Sequence, residues 1–243
     1  MPTSLRKRAV HLREYMDDPA CDPVLLDRTY EQFRLINAVV AGWHGTYRER
    51  IKPLLSRETP STLLDIGCGG GDLARALARW ARKDGLQLQV AGIDPDERAL
   101  AFALRTPNPD GVRFQRLNSS DLVDAAARFD FVISNHVLHH LDAEQLSDLL
   151  IDSELLCRTL AIHSDIRRSP VAYALFSVGT LPFFHRSFIR DDGLTSIRRS
   201  YTTAELRVAA RRGWNVEAQS PFRNLLTFAA SAAAKEAEPD ADA

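Results

Sequence analysis

Leu63-Leu64-Asp65-Ile66-Gly67-Cys68-Gly69-Gly70-Gly71-Asp72 is the stretch whose reading decides the fold. The apolar run Thr62 to Ile66 predicts a short buried strand. Four glycines within five positions then turn the chain. Leu73 to Lys83 predicts a helix, with Leu73, Ala76, Leu77 and Trp80 on its apolar side. A strand that breaks into glycine and feeds a helix is a ligand site, because glycine accepts positive φ and carries no Cβ to hold a ligand off the backbone.

The residues narrow the kind of ligand. The dinucleotide fingerprint G-x-G-x-x-G fails: with Gly67 and Gly69 as its first glycines, the third falls on Asp72. The pattern present is acidic-x-G-x-G-x-G, from Asp65 through Gly67, Gly69 and Gly71. Carboxylates at Asp65 and Asp72 suit a ligand with a cationic amine, and Asp72 occupies part of the helix N-terminus that a phosphate would use. Leu88 to Asp94 predicts a second strand ending in an acid that can accept both ribose hydroxyls. The plain alternative is a structural strand-turn-helix with incidental glycines, and Asp94 at the expected place argues against it.

LDIGCGGGD followed by GIDPD resembles the S-adenosylmethionine (SAM) site of class I methyltransferases. The stretch Phe129-Asp130-Phe131-Val132-Ile133-Ser134-Asn135-His136-Val137-Leu138-His139-His140-Leu141 looks like the same family's fourth strand and the loop after it. The resemblance implies a Rossmann-like, doubly wound α/β sheet, mostly parallel, with an antiparallel C-terminal hairpin. It implies SAM as cofactor, bound by Asp65, Gly67, Gly69, Gly71, Asp72, Asp94, Pro95 and Asn135. Asn118 stands where the family usually has an Asp that meets the adenine amine. Its amide oxygen can still accept from that amine, with Ser119 and Asp121 as fallback. The competing reading makes Asn118, Ser119 or Ser120 a helix N-cap. In similar methyltransferases an N-terminal helix closes over the cofactor. That implication makes residues 1–57 a helical lid segment, with Tyr30, Phe33, Arg34 or Asn37 over the site. The bland reading is a helix packed on the sheet, its aromatics core and Arg34 solvated.

Outward from these motifs, Asp22-Pro23 opens a helix whose apolar positions run with helical spacing from Val24 to Tyr47. Pro95 opens another to about Leu104, and Val112 to Gln115 is a third short strand. Phe129 to Ser134 is a fourth strand, and Thr159 to His163 a fifth. Asp142 with Gln145, and Thr202 with Glu205, form two capping boxes. Asn215 to Gln219 and Arg223 to Phe228 read as a closing hairpin. Residues 58–229 thus form the methyltransferase-like domain, and 230–243 a disordered tail. Residues 166–200 break the alternation. Their apolar, aromatic run predicts a cap inserted before the last helix, shaping a pocket for a lipophilic or aromatic acceptor, or alternatively a core helix or dimer face.

The chain of 243 residues balances 31 basic against 32 acidic residues, so no global field favours nucleic acid. Between Ser164 and Gly213 nine basic residues face four acidic ones, a local surplus that suits an anionic acceptor or simply a solvated face. Cys21, Cys68 and Cys157 lack the spacing of a zinc site. No secretion signal or membrane span is read, which predicts a cytoplasmic protein without stable membrane insertion. Self-association stays open. A methyl acceptor such as a phenol needs a base near working pH, and His139, His140, His163 and His185 are the candidates, with His140, His139 and His185 favoured. A metal is not expected, since His163 and Asp165 near Asn135 offer a single acid. The sequence predicts a SAM-dependent methyltransferase acting at oxygen on a small aromatic or polyketide-like acceptor. The alternatives are a C-methyltransferase of a quinone-type ring and a non-catalytic SAM-binding subunit.

Overall fold

The computed structural model describes residues 5–180 and 186–230, and of residues 34–40 only the backbone helix. Among them, seven strands form one sheet in the order β3-β2-β1-β4-β5-β7-β6. They are β1 (Ser61–Ile66), β2 (Leu88–Ile93), β3 (Val112–Gln115), β4 (Phe129–Asn135), β5 (Cys157–Ile166), β6 (Asn215–Gln219) and β7 (Arg223–Ala229). The first five pair in parallel, whereas β7 runs antiparallel to β5 and β6 antiparallel to β7. The predicted sheet and hairpin are both present.

The helices are α1 (Pro23–Val40), α2 (Trp43–Thr46), α3 (Asp72–Lys83), α4 (Glu97–Arg105), α5 (Ser119–Asp124), α6 (Ala143–Leu156), α7 (Pro170–Gly179), α8 (Ile189–Arg199) and α9 (Thr203–Ala209). Side chains alternate along a strand, so β1 feeds two cores. Leu63 joins Leu73 and Leu77 of α3 on one face, and Leu64 joins Leu146 and Leu150 of α6 on the other. All six are at most 5% exposed, and burying each stabilises the fold by roughly 2 kcal/mol. Both capping boxes form: Gln145 N–H donates to the Asp142 carboxylate at 2.9 Å, and Glu205 N–H to the Thr202 hydroxyl at 3.2 Å.

Two boundaries differ from expectation. The helix predicted from Val24 to Tyr47 stops at Val40, turns at Gly42 and restarts as α2. Pro95 lies outside α4: Asp96 is the cap, accepting from Arg98 N–H at 2.8 Å. A side-chain acceptor that reaches the second helical N–H sets the start more strongly than the fixed φ of the proline before it. The expected tail lies outside the described residues beyond Ala230.

The order β3-β2-β1-β4 reverses direction between β1 and β4, and the crevice above their carboxyl ends is where such sheets bind ligands. The glycine turn leaves β1 there, Asp94 leaves β2, Asn135 to His140 leave β4, and Asp165 lies near the end of β5.

Candidate active site

The glycine turn is fixed by the chain itself. Gly67 and Cys68 N–H both donate to Ile93 C=O, at 2.8 and 3.0 Å, so the turn hangs on the end of β2. Gly67 and Gly71 have φ of +68° and +75°. A Cβ on Gly67 would lie 2.7 Å from Val137 Cγ2, and one on Gly71 2.3 Å from Phe114 Cζ. Glycine is needed at both for conformation and for room.

Asp94 holds the turn from the next strand. One carboxylate oxygen accepts from Gly69 N–H and the other from Asp96 N–H, each at 2.9 Å. Each oxygen keeps a lone pair for a ligand. Burial pushes the Asp94 carboxyl up, and these two N–H donors only partly offset it. Asp65 is 1% exposed, and its Oδ2 makes no hydrogen bond. Burial first, then the nearby Asp72 and Asp94 charges, push its carboxyl well above the usual carboxylate range. A buried acceptor without a donor costs about 1–3 kcal/mol, so this atom is built for a partner that arrives from outside.

A cleft of about 550 Å³ runs from this turn to the loop after β4. Asp65, Gly67, Gly69, Asp72, Asp94, Pro95, Asn135, Tyr30 and Phe33 line it, with His139 and His140. Gly71 does not; it packs on Phe114 beneath the turn. Asn118 is exposed at the cap of α5, its N–H donating to Asp121 at 2.7 Å, and Ser119 donates to Asp152 at 2.5 Å. Both stand outside the cleft lining, Asn118 as the cap of α5 and Ser119 as its first residue, tied to α6 through Asp152. The Arg34 and Asn37 side chains, and all of His185, lie outside the described residues.

At the far end of the cleft the two histidines differ. His139 is 2% exposed, with Nδ1 2.8 Å from Asp165 Oδ1 and Nε2 3.3 Å from Glu14 Oε1. Burial opposes its charge, but Asp165 and Glu14 overcome it and push the imidazole up to about 10. His140 is partly open to the cleft, with Nδ1 3.3 Å from Asp17 Oδ2 and Nε2 3.8 Å from Glu14 Oε2. Glu14 is itself buried, and burial works against its charge. The two histidines and the Ser196 hydroxyl, which donates at 2.7 Å, outweigh that and hold it below its ordinary value.

His163 is no part of this end. It is fully buried between the Ser134 and Ser153 hydroxyls, at 2.8 and 3.1 Å, and stacks on Trp214. Burial lowers it to about 3, so it is a neutral core residue.

Sequence reasoning missed several of these groups. Glu14 and Asp17 flank a short turn (Tyr15–Asp17) that crosses the cleft, upstream of the helix expected to form the lid. Asp192 of α8 pins that turn by accepting from Tyr15 and Met16 N–H at 2.6 and 3.1 Å. Buried Arg223 donates to Asn135 Oδ1 at 2.6 Å and lies 2.8 Å from His136 Nε2, fixing the loop after β4 from beneath. Only the three acids Glu14, Asp17 and Asp18 hint at the turn, and nothing in the local pattern marks Arg223.

Of the nine arginines between Ser164 and Gly213, only Arg199 is in the cleft lining among the described residues. It is bound to the His139 and His140 carbonyls, at 3.2 and 3.1 Å. Seven carboxylates line the same cleft: Glu14, Asp17, Asp65, Asp72, Asp94, Asp96 and Asp192. The local positive surplus therefore faces elsewhere.

A protein family described as a methyltransferase domain matches residues 63–156, from β1 through α6. Residues 63–156 are thus similar to a methyltransferase domain over somewhat less than half of the chain. The ubiquinone biosynthesis O-methyltransferase of Cereibacter sphaeroides (strain ATCC 17025 / ATH 2.4.3) is 34% identical over 120 residues, 48% of this chain and 46% of that protein. The ribosomal protein L11 methyltransferase of Campylobacter fetus subsp. fetus is 31% identical over 100 residues, 41% of this chain and 30% of its own. The chain thus spans about half or less of the curated relatives it matches. Because these relatives are named for different acceptors, similarity to a methyltransferase domain alone does not select one. The crystal structure of the plantazolicin methyltransferase BpumL, in complex with a triazolic desmethylPZN analog and SAH, aligns with TM-score 0.61 at 15% identity. That alignment covers 89% of this chain and 93% of BpumL. Human N-acetylserotonin methyltransferase in complex with SAM aligns with TM-score 0.59 at 14% identity, over 85% of this chain and 56% of that one. The fold, with its reversed last strand, is that of class I methyltransferases.

Proposed function

We propose that this protein is a SAM-dependent methyltransferase acting on a small, uncharged, aromatic or polyketide-like acceptor, with oxygen as the methylated atom. The observation that carries this reading is the single cleft joining the Asp65–Asp94 turn to the His139–His140 loop, since transfer in line needs both reactants in one cavity. SAM, when bound, supplies an electrophilic methyl group on a sulfonium.

The protein's part is to hold and align. Asp65 Oδ2, buried and without a donor, accepts from the cofactor's amine, and the two oxygens of Asp94 accept from ribose hydroxyls. Tyr30 and Phe33 of α1 wall the cleft beside the glycines, which supports the lid role of the N-terminal segment. Met16, Phe176, Ile189 and Leu141 give the acceptor an apolar wall, and the carboxylates disfavour an anionic one. Phe176 of α7 gives the inserted segment its share in that wall, in keeping with a substrate cap. His140, between Glu14 and Asp17 and open to the cleft, takes the acceptor's proton. His139, clamped by two carboxylates, stays protonated and orients its neighbour.

Calorimetry with S-adenosylhomocysteine, followed by turnover of labelled SAM over a panel of phenols and hydroquinones, tests the proposal. Binding at one site and transfer to a hydroxyl are expected. Binding without transfer to any member of the panel would favour a non-catalytic subunit, and no binding would overturn the reading.

A further inference from the structure

Glu14, His139 and His140 each present one ligand atom, all within 4.8 Å of one another, although Glu14 lies far from the histidines in sequence. His139 Nε2 lies 3.3 Å from Glu14 Oε1 and His140 Nε2 lies 3.8 Å from Glu14 Oε2. Ligands bonded at about 2.0–2.2 Å to a tetrahedral zinc ion are separated by roughly 3.3–3.6 Å, so these distances need little adjustment to surround an ion.

Two further features single this cluster out from an ordinary ion network. First, each histidine has its other ring nitrogen turned to a second carboxylate: His139 Nδ1 to Asp165 at 2.8 Å and His140 Nδ1 to Asp17 at 3.3 Å. That is the outer arrangement metal-binding imidazoles use to direct Nε2 at the ion and raise its basicity. Second, His139 Nε2 is buried and, though it faces Glu14, makes no aligned hydrogen bond. It is a ring nitrogen aimed into the cluster whose approach to Glu14 is ionic, without an aligned hydrogen bond.

We propose that Glu14, His139 and His140 form a binding site for a divalent transition ion of the zinc type, with a fourth position open to the cleft. Imidazole ligands suit Zn²⁺ or Co²⁺ and not Mg²⁺, which takes oxygen ligands. The sequence expectation of no metal looked to His163 and Asp165; His163 is a core residue, and Asp165 supports a ligand from behind. The inference deepens the reading of this cleft end as the acceptor's place and changes two roles within it. With an ion bound, His139 gives up its Nε2 proton and both histidines are neutral ligands. Lewis acidity toward an acceptor hydroxyl then replaces proton transfer to the imidazole, and the hydroxyl proton passes to solvent.

The test titrates the untagged, chelator-treated full chain with Co²⁺ and follows the intense visible absorption of four-coordinate cobalt, with Zn²⁺ as competitor. One equivalent is expected, displaced by Zn²⁺. Glu14→Gln is expected to lose the band, and Asp17→Asn, at a partly exposed supporting carboxylate, to weaken binding about 10–100-fold. Circular dichroism and S-adenosylhomocysteine binding report whether each variant is folded. No four-coordinate band in the wild-type chain, or an affinity unchanged by both substitutions, overturns the metal site. Either result with normal S-adenosylhomocysteine binding leaves the transferase reading standing. A cobalt band without S-adenosylhomocysteine binding does the reverse.

Discussion

Asp65 illustrates at the scale of one residue how a binding site opposes stability. Its carboxylate is buried beside Asp72 and Asp94, and one oxygen has no donor. A carboxyl whose folded pKa is raised holds its proton more tightly folded than unfolded, so its contribution to stability is lost as pH rises above the unfolded value. Asp65→Asn removes that penalty. It should raise the melting temperature at neutral pH while weakening S-adenosylhomocysteine about 10–100-fold, the worth of one charge-assisted hydrogen bond. Differential scanning calorimetry and isothermal titration read the two effects separately. A variant that is more stable with unchanged affinity would show that Asp65 meets no ligand. Asp65 was legible in the sequence because strand, acid and glycine are adjacent. Its missing donor was not, because only the folded neighbourhood shows what surrounds an atom.

The elements that complete the cleft come from outside the matched domain. The turn at Tyr15–Asp17 brings Glu14 and Asp17 to the histidines, and α8 holds it through Asp192 and Ser196. Helix α8 in turn lies against α7: a Cβ on Gly193 would meet Phe176 Cζ at 2.4 Å, so glycine there permits the close approach. Asp192→Ala leaves two backbone N–H groups without an acceptor, at about 1–3 kcal/mol each. The N-terminal turn should then detach before the sheet unfolds. Limited trypsin digestion at exposed Arg13 should run at least several-fold faster, with the thermal transition of the domain little changed. Equal rates in the two proteins would mean that other contacts, such as Arg8 to the Arg199 carbonyl at 2.7 Å, suffice to hold it. Sequence periodicity found α7 only as an apolar run and missed the turn altogether, since a three-residue element has no period to read.

Over the whole molecule a near-neutral chain concentrates seven carboxylates in one cleft and turns most of the insert's arginines away from it. Its acid stability depends on the core as well. His163 is lowered to about 3 from an ordinary 6.5 by burial, so the unfolded chain takes a proton that the folded one refuses. This contribution is intact above pH 6.5 and lost as pH falls from there toward 3, by about 1.4 kcal/mol per pH unit from this one group. Denaturant titrations between pH 7 and 4 should give a shallower decline for His163→Gln than for the wild type; identical slopes would refute the assignment. The sequence by itself determined the strands, most helix starts, the reversed final pair and the glycine turn with Asp65 and Asp94. Hydrophobic period, capping side chains and glycine all act on their nearest neighbours along the chain. Tertiary structure alone decided which histidine is core and which faces the cleft, that Asn118 caps a helix beside the site while Ser119 bonds Asp152, and that Glu14, Asp17 and Arg223 converge on the loop after β4. Polar groups pair through space with whatever the fold brings within about 3 Å, and no pattern along the chain encodes that meeting.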